Sequence, residues 1–195
     1  MEIHLIRHGK THANEMGLYC GHTNVPLSDS GVKELTQLKE QGIYPAADVF
    51  YTSGLLRAGQ TMTILYGAVR RKAISDFAEY NFGRFEMKSH DELVNDSDYI
   101  AWIRDETGEV ACPAGESKLL FERRVLRGYR YIITTARLSG ISSILAVIHG
   151  GVISCIMKHL FEDTKNRFEW QPAQGRGYTI IDDTEKKGDI IYCRI

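Results

Sequence analysis

Three places in the sequence put a basic side chain where a predicted strand gives way to a turn or a helix. Arg7 and His8 end the apolar N-terminal segment, Arg57 falls in the first turn of a helix that follows a second strand, and His149 ends a long apolar run. Ligands of open α/β sheets bind beyond the carboxyl ends of the strands. A guanidinium matches the oxygens of a phosphate group, so these junctions together indicate an anion site. Taken alone, the Arg7-His8 pair and Arg57 are more simply solvated surface side chains.

A candidate general acid stands in an aromatic segment near the middle of the chain. Glu79 has Phe77 and Phe82 as neighbours. Such surroundings favour the protonated carboxyl that proton donation requires. The alternative is an ordinary surface glutamate in a loop, and Glu86 competes for the same role.

The spacing of apolar residues, glycine and proline predicts the elements that carry these groups. Strands are expected at 1–6, 48–52, 141–148, 178–181 and 190–194. Helices are expected after the N-cap Ser28, over 55–66, over 117–138 and from Val152 onward. This order predicts one α/β domain spanning residues 1–195, a three-layer α/β/α sandwich around a mostly parallel mixed sheet. Residues 86–113 interrupt the order and are expected to form a helical insert or flap.

Helical spacing also predicts which side chains are buried. Val32, Leu35 and Leu38 form the inward stripe of the helix that begins at Ser28. The helix over 117–138 carries four arginines that are most simply its solvated side, although one of them could lean toward an anion. They are Arg123, Arg124, Arg127 and Arg130.

The composition is that of an ordinary globular protein. The chain has 195 residues, of which 43% are hydrophobic and 25% charged, enough for one domain with a full core. The net charge is −1, so no basic excess points to a nucleic-acid partner. No apolar run is long enough to span a membrane, and the N-terminus shows no secretory signal, which predicts a cytoplasmic protein.

Metal and cofactor motifs are not indicated. The cysteines are scattered and form no C-x-x-C pair, so neither a zinc site nor a redox motif is expected. They are Cys20, Cys112, Cys155 and Cys193. His4, His8 and His12 have helical spacing, but His4 lies in a predicted strand and cannot share a helix with the others. We therefore expect no metal and no cofactor.

These motifs, in this order, resemble the histidine phosphatase superfamily, which has the phosphoglycerate-mutase-like fold. The opening motif of the superfamily is matched by Arg7-His8-Gly9 with Thr11 and Asn14. The later blocks are matched by Pro26-Leu27-Ser28 and Gly31, by Ser53, Leu55, Arg57-Ala58 and Gln60-Thr61, by Glu79 and Phe82-Gly83, by Gly115-Glu116-Ser117 and by His149-Gly150-Gly151. The resemblance runs nearly from end to end of the chain.

The resemblance implies a role for each member of the site. His8 would take the phosphoryl group as phosphohistidine, while a backbone carbonyl holds the proton on its other ring nitrogen. Arg7, Arg57 and His149 would bind the phosphoryl oxygens. Glu79 would protonate the leaving alkoxide and then deprotonate the water that cleaves phosphohistidine. No metal is required, because the basic residues meet the charge of the phosphoryl group.

Softer motifs resemble the alpha-ribazole phosphatases, a group within the superfamily that serves the cobalamin nucleotide loop. These motifs are Gly17 to His22, Phe82 to Met87 and Gln174-Gly175. The implied substrate is a small phosphate monoester, and further substrate contacts are expected from the side chain of Asn14, from the backbone of Cys20 and Gly21, and from Gly150 at a helix start. An aromatic base could stack on Tyr19, Tyr80, Phe85 or Trp102.

Other functions stay open at this point. A phosphoglycerate mutase has the same nucleophile, but residues 86–113 are predominantly acidic, with Lys88 and Arg104 as their basic residues, which favours hydrolysis. A broad-specificity phosphatase would share every catalytic motif. A non-catalytic module that binds phosphorylated ligands is opposed by the intact set of catalytic residues. The chain could act as a monomer or as a homodimer.

Overall fold

A six-stranded sheet forms the centre of the computed structural model, which describes residues 1–161, 169–182 and 190–195. The strands are β1 Glu2–Arg7, β2 Val49–Thr52, β3 Arg71–Ala73, β4 Ser143–Ile148, β5 Gly177–Asp182 and β6 Ile190–Arg194. They lie in the order β3-β2-β4-β1-β5-β6. The first four are parallel, whereas β5 is antiparallel to β1 and β6 is antiparallel to β5. The predicted mostly parallel mixed sheet is confirmed.

Helices connect these strands, and side-chain caps define where several of them begin. The helices are α1 His12–Glu15, α2 Asp29–Glu40, α3 Leu56–Tyr66, α4 His90–Leu93, α5 Ser97–Arg104, α6 Lys118–Leu138 and α7 Gly150–Phe161, with 3-10 turns at Ser75–Phe77 and Gly83–Phe85. The Ser28 hydroxyl accepts from the Gly31 amide, and the Ser117 hydroxyl accepts from the Leu120 amide. These caps satisfy donors that the first turn of a helix leaves unpaired.

Both faces of the sheet are covered by helices. Alternate residues of a strand point to opposite faces. On β4, Ile144, Ala146 and Ile148 pack in the cluster that contains the buried face of α6 and α7. Leu145 and Val147 pack in the cluster that contains α2 and α3. The predicted three-layer α/β/α architecture is therefore confirmed.

The structure differs from the sequence prediction at strand β3 and at Val32. Strand β3 was not expected, because its residues are exposed and lack an apolar pattern. Val32 is exposed rather than buried, because α2 turns Gly31, Leu35 and Leu38 toward the core and leaves Val32 on the rim of that face. The predicted turn at residues 187–189 lies outside the described part of the chain.

The segment predicted as a helical insert contains α4 and α5 and is joined to the fold by aromatic side chains. Leu93, Tyr99 and Trp102 are buried in the larger core cluster. The Trp102 indole donates to the hydroxyl of Tyr80 at 2.9 Å, and the hydroxyls of Tyr19 and Tyr99 lie 2.6 Å apart. These contacts place the segment directly beside Tyr80 and hence beside Glu79.

Candidate active site

The structure brings the basic residues of the three strand ends together at one edge of the sheet. Strand β4 lies between β1 and β2. Arg7 and Thr52, the last residues of β1 and β2, pair with the last two residues of β4, so the three strands end level. His8 follows β1, Arg57 lies in the first turn of α3 after β2, and His149 follows β4.

His8 is buried at the centre of this edge. Its Nδ1 lies 2.6 Å from the carbonyl oxygen of Gly9. A carbonyl only accepts, so Nδ1 carries the hydrogen and the lone pair is on Nε2. Burial lowers the pKa of His8 well below its ordinary value, and the charges of Arg57 and Arg7 lower it further, against the opposing hydrogen bond to Gly9. At neutral pH the ring is therefore uncharged, which is the state that a nucleophile needs.

Arg57 is buried, so the interpretation of it as a solvated helical arginine is wrong. Its Nε–H donates to Nε2 of His8 at 3.3 Å. Its Nη1 donates to the Thr23 carbonyl at 3.0 Å, and its Nη2 donates to the carbonyls of Gly21 at 2.7 Å and Cys20 at 3.5 Å. The guanidinium therefore joins the imidazole to the backbone of loop 20–23.

Arg7 and His149 each have a buried nitrogen atom without a partner in the described part of the chain. Nη1 of Arg7 donates to the Pro172 carbonyl at 2.8 Å, but its Nε has no partner among the described residues. Nε2 of His149 lies 2.8 Å from the Ser53 hydroxyl, but its Nδ1 has no partner within residues 1–161, 169–182 and 190–195. The ring of His149 meets that of His8 edge-on, with the centroids 5.1 Å apart. Because buried polar atoms are normally paired, the two nitrogens are well placed to receive an anion.

Glu79 reaches the same edge from the segment after the first 3-10 turn. Its Oε2 accepts from the Gly151 amide at 2.9 Å, and its Oε1 accepts from the Tyr80 amide at 2.9 Å. A Cβ atom on Gly151 would lie 2.4 Å from Oε1, so a glycine is needed for the carboxyl to approach the start of α7 this closely. Burial lowers the pKa of Arg7, and the negative charge of Glu79 opposes that shift.

Glu86, the alternative acid, is engaged with loop 20–23. Its carboxylate accepts from the amides of Gly21, His22, Thr23 and Phe82 and from the Thr23 hydroxyl, at distances of 2.6 to 3.2 Å. These donors surround both oxygens. The carboxylate therefore holds the shape of the loop whose carbonyls bind the guanidinium.

Asn14 lies in the short helix α1, and Gly150 directly follows His149. The Asn14 side-chain oxygen accepts from the amide and the hydroxyl of Thr11 at 3.1 and 3.0 Å, which leaves its NH2 group as a donor. Gly150 begins α7 in close contact with Gln171, since a Cβ atom there would lie 2.3 Å from the Gln171 Nε2.

Arg124 does not belong to a solvated helix face, and the sequence interpretation is wrong here. Its side chain is 15% exposed and pairs with Glu116, whereas Arg127 on the same helix is 66% exposed. Helical spacing identifies the side that points away from the sheet, but it does not show which loops fold over that side. The acidic residue two turns earlier, Glu116, is the sequence signal that could have identified the pair.

A cavity of about 470 Å³ opens beside Glu79. Its aromatic wall consists of Tyr19, Tyr80, Phe82, Trp102 and Phe121. Three of the four residues predicted to stack on an aromatic base thus line it. Phe85 does not, because it is fully buried in the core. A more open depression of about 590 Å³ lies over α3 and β3 and contains none of the predicted catalytic residues.

Neither a metal-binding cluster nor a membrane-spanning helix is present among the described residues. No group of three or more His, Cys, Asp or Glu side chains there could hold a metal ion. No helix in that part of the chain is long and apolar enough to cross a membrane. No disulfide bond joins the cysteines, all four of which lie in the described part of the chain.

A buried neutral histidine among arginines, at the level ends of parallel strands, is an arrangement suited to binding a phosphoryl group in an α/β protein. The family model for the histidine phosphatase superfamily (branch 1) matches residues 3–193. The chain belongs to this superfamily, as its motifs predict.

Two similar phosphatases and one similar mutase indicate which members of the superfamily the chain resembles. The adenosylcobalamin/alpha-ribazole phosphatase of Salmonella typhimurium (strain LT2) is 32% identical over 164 residues, which are 82% of this chain and 79% of that protein. The crystal structure of the alpha-ribazole phosphatase from Shigella flexneri matches with a TM-score of 0.81 at 28% identity, covering 95% of this chain and 92% of that one. Phosphoglycerate mutase 1 of Saccharomyces cerevisiae is 28% identical over 192 residues, covering 80% and 76% of the two chains. The predicted similarity to alpha-ribazole phosphatases is confirmed. The predicted enzyme class, phosphoric monoester hydrolase, is confirmed with it.

Proposed function

We propose that this chain is a phosphomonoesterase that needs no metal and works through phosphohistidine at Nε2 of His8. The observation that carries the proposal is the state of this ring. The Gly9 carbonyl fixes its hydrogen on Nδ1 at 2.6 Å, and burial lowers its pKa so that the ring is neutral. The lone pair of Nε2 is thus held at the edge where Arg7, Arg57 and His149 lie.

In the first step, the lone pair of His8 Nε2 attacks the phosphorus atom of the ester. The bond between phosphorus and the ester oxygen breaks, and its electron pair stays on that oxygen. The carboxylic acid of Glu79 donates a proton to it, so a neutral alcohol leaves. Arg7, Arg57 and His149 bind the phosphoryl oxygens. This role is supported by Nε of Arg7 and Nδ1 of His149, which have no partner in the part of the chain that the structure describes.

In the second step, Glu79 acts as a base. Its carboxylate takes a proton from a water molecule as the water oxygen attacks phosphorus. The bond between nitrogen and phosphorus breaks, its electron pair returns to Nε2, and inorganic phosphate leaves. Glu79 is then protonated and His8 is neutral again, so the cycle closes without a cofactor.

Two of the four further residues predicted to bind substrate would complete the phosphate site. The NH2 group of Asn14 and the amide of Gly150 would donate hydrogen bonds, and the start of α7 favours an anion. Cys20 and Gly21 would act differently, because their carbonyls already accept from Arg57 and would repel phosphate oxygens. We infer that these two residues orient the guanidinium.

We propose alpha-ribazole 5'-phosphate, or a related ribosyl monoester with an aromatic base, as the substrate. The aromatic wall of the cavity beside Glu79 supports this choice, because offset or edge contacts between rings stabilise such a base. A volume of about 470 Å³ suits a small organic ligand. The names of the similar phosphatases point to the same class.

The test measures phosphate release by the pure protein in the presence of EDTA. The esters are alpha-ribazole 5'-phosphate, a sugar phosphate, 3-phosphoglycerate and p-nitrophenyl phosphate. We expect turnover without added metal, with the highest kcat/KM for the ribazole ester. His8→Ala should lose about a thousandfold or more, and alkaline denaturation during turnover should trap one phosphoryl group on His8.

Three other results would each contradict the proposed function. Unchanged activity in His8→Ala would refute the phosphohistidine mechanism. Phosphoryl transfer between phosphoglycerates without phosphate release would identify a mutase. Tight binding of phosphate esters without turnover would identify a non-catalytic binding module.

A further inference from the structure

The guanidinium of Arg124 is fully engaged beneath the segment that carries Glu79. Its Nε and Nη2 donate to the two carboxylate oxygens of Glu116 at 2.9 and 2.6 Å. Its Nη1 donates to the carbonyls of Asp76 and Ala78 at 2.9 and 2.7 Å, and its Nη2 also donates to the carbonyl of Glu79 at 2.9 Å. All five N–H donors of an arginine are thereby used on one short stretch of backbone and one carboxylate.

The pair of Arg124 and Glu116 holds this stretch from both ends. Arg124 binds the carbonyls on the N-terminal side of Glu79 and that of Glu79 itself. Glu116 accepts from the amide of Asn81 at 2.7 Å, and its carbonyl accepts from the Tyr80 hydroxyl at 2.7 Å. The backbone on either side of the Glu79 carboxyl is therefore fixed to α6 and to the residue that precedes its cap.

We propose that Arg124 is a positioning residue for the two proton transfers of Glu79. The inference rests on the proposed function, in which Glu79 is the acid and then the base. Arg124 bonds to the backbone of Glu79 and acts through it. Proton transfer requires the donor oxygen to lie within hydrogen-bond reach of the ester oxygen. A small shift of the Glu79 backbone would break that reach while leaving His8 and the phosphate site in place.

The experiment compares two phosphate monoesters that differ in their need for an acid. The p-nitrophenolate of p-nitrophenyl phosphate is a weak base and leaves without a proton, whereas the alkoxide of glycerol phosphate requires one. The variant is Arg124→Lys, which keeps the charge but loses the planar fork. The matched control is Arg127→Lys on the same helix, because Arg127 also pairs with a carboxylate, Asp76, but makes no bond to the Glu79 backbone. The value compared is kcat/KM, which reports the steps up to departure of the alcohol.

We expect Arg124→Lys to lose about tenfold more kcat/KM on glycerol phosphate than on p-nitrophenyl phosphate, a fraction of what a general acid contributes. Glu79→Gln should show the same selectivity to a larger extent, and Arg127→Lys should match the wild type on both esters. In a Glu79→Gln background, Arg124→Lys should cost nothing further on either ester.

Two outcomes separate this inference from the function on which it rests. An equal loss on both esters in Arg124→Lys, with a selective loss in Glu79→Gln, would overturn the role of Arg124 alone. An equal loss in Glu79→Gln would overturn the acid role itself. If Arg124→Lys does not unfold cooperatively, Glu116→Gln serves as the second variant, because it weakens the same clamp, and the same selectivity decides the question.

Discussion

Glu86→Gln is predicted to impair the site although Glu86 is not expected to contact the phosphoryl group. One carboxylate accepts from the backbone of loop 20–23, from the Thr23 hydroxyl and from the Phe82 amide. Glutamine has the same shape, but it has one oxygen in place of two. Its NH2 group would face backbone amides that only donate.

The predicted loss in the free energy of unfolding depends on which donors lose their acceptor. Glutamine can keep its oxygen toward the amides of His22 and Phe82 or toward that of Thr23, but not toward all of them. A buried amide left without an acceptor costs about 1–3 kcal/mol, and the remaining bonds weaken because their acceptor is no longer charged. Since His22 is exposed to water, we take about 2 kcal/mol as the loss in the free energy of unfolding. For a chain of this size that lowers Tm by about 4–8 °C.

The activity should fall by more than this loss of stability alone would cause. The carbonyls that Glu86 holds in place are those to which Arg57 donates at 2.7 to 3.5 Å. A displacement of about 1 Å in a positioned group can cost about a hundredfold in rate. We therefore expect kcat/KM to fall about 10- to 100-fold, measured well below the lowered Tm.

The assay is the steady-state hydrolysis of p-nitrophenyl phosphate, together with inhibition by inorganic phosphate and thermal unfolding. The control is Glu92→Gln, because Glu92 accepts from the Ser89 amide at 2.8 Å in a helix cap and makes no bond to loop 20–23. A fall in Tm with kcat/KM still within twofold of the Glu92→Gln value would refute the reasoning, since it would show that the loop does not position Arg57.

Two further predictions concern titration and the cavity. Burial lowers the pKa values of His8 and His149 below the ordinary 6.5. Below about pH 6.5 the unfolded chain therefore binds more protons than the folded one, so this contribution to stability is complete above that pH and is lost as the pH falls toward the folded-state pKa values. Denaturant unfolding at pH 7.5 and 5.5 should show the decrease, and His8→Asn, which cannot titrate, should reduce it. Phe82→Leu removes one ring from the cavity and should raise KM about three- to tenfold for a ribosyl ester with an aromatic base, while glycerol phosphate, which has no ring, should be unaffected.

The strand ends were predictable because their signals are local. An apolar run long enough for a buried strand precedes both His8 and His149, and a shorter one precedes the helix with Arg57. Parallel strands of one sheet present their carboxyl ends at one edge, so the three junctions could be expected to meet. The structure adds that β4 lies between β2 and β1.

The residues that hold the site in shape were not predictable in the same way, because their partners are distant in sequence. Arg124 bonds to carbonyls 45 to 48 positions earlier, and Glu86 bonds to amides 63 to 65 positions earlier. Helical spacing alone predicted that Arg124 is a solvated arginine. The sequence also could not show which of two neighbouring phenylalanines lines the cavity. At the turn Gly83–Phe85, the ring of Phe82 lies in the cavity wall and that of Phe85 is buried in the core. The residue type is the same at both positions and does not distinguish them.

The contacts of Arg57 imply a partner exchange before any attack by His8. Its Nε–H faces the lone pair of His8 Nε2 at 3.3 Å, whereas its bond to the Gly21 carbonyl is much shorter at 2.7 Å. An incoming phosphoryl oxygen offers that Nε–H a charged acceptor, which makes a stronger bond than a neutral nitrogen does. The long contact should therefore break and the short one persist. While its Nη atoms stay bonded to the carbonyls of loop 20–23, the Arg57 guanidinium would free the Nε2 lone pair of His8 only when a phosphoryl group is present. The Gly9 carbonyl would keep the proton on Nδ1 of His8 throughout.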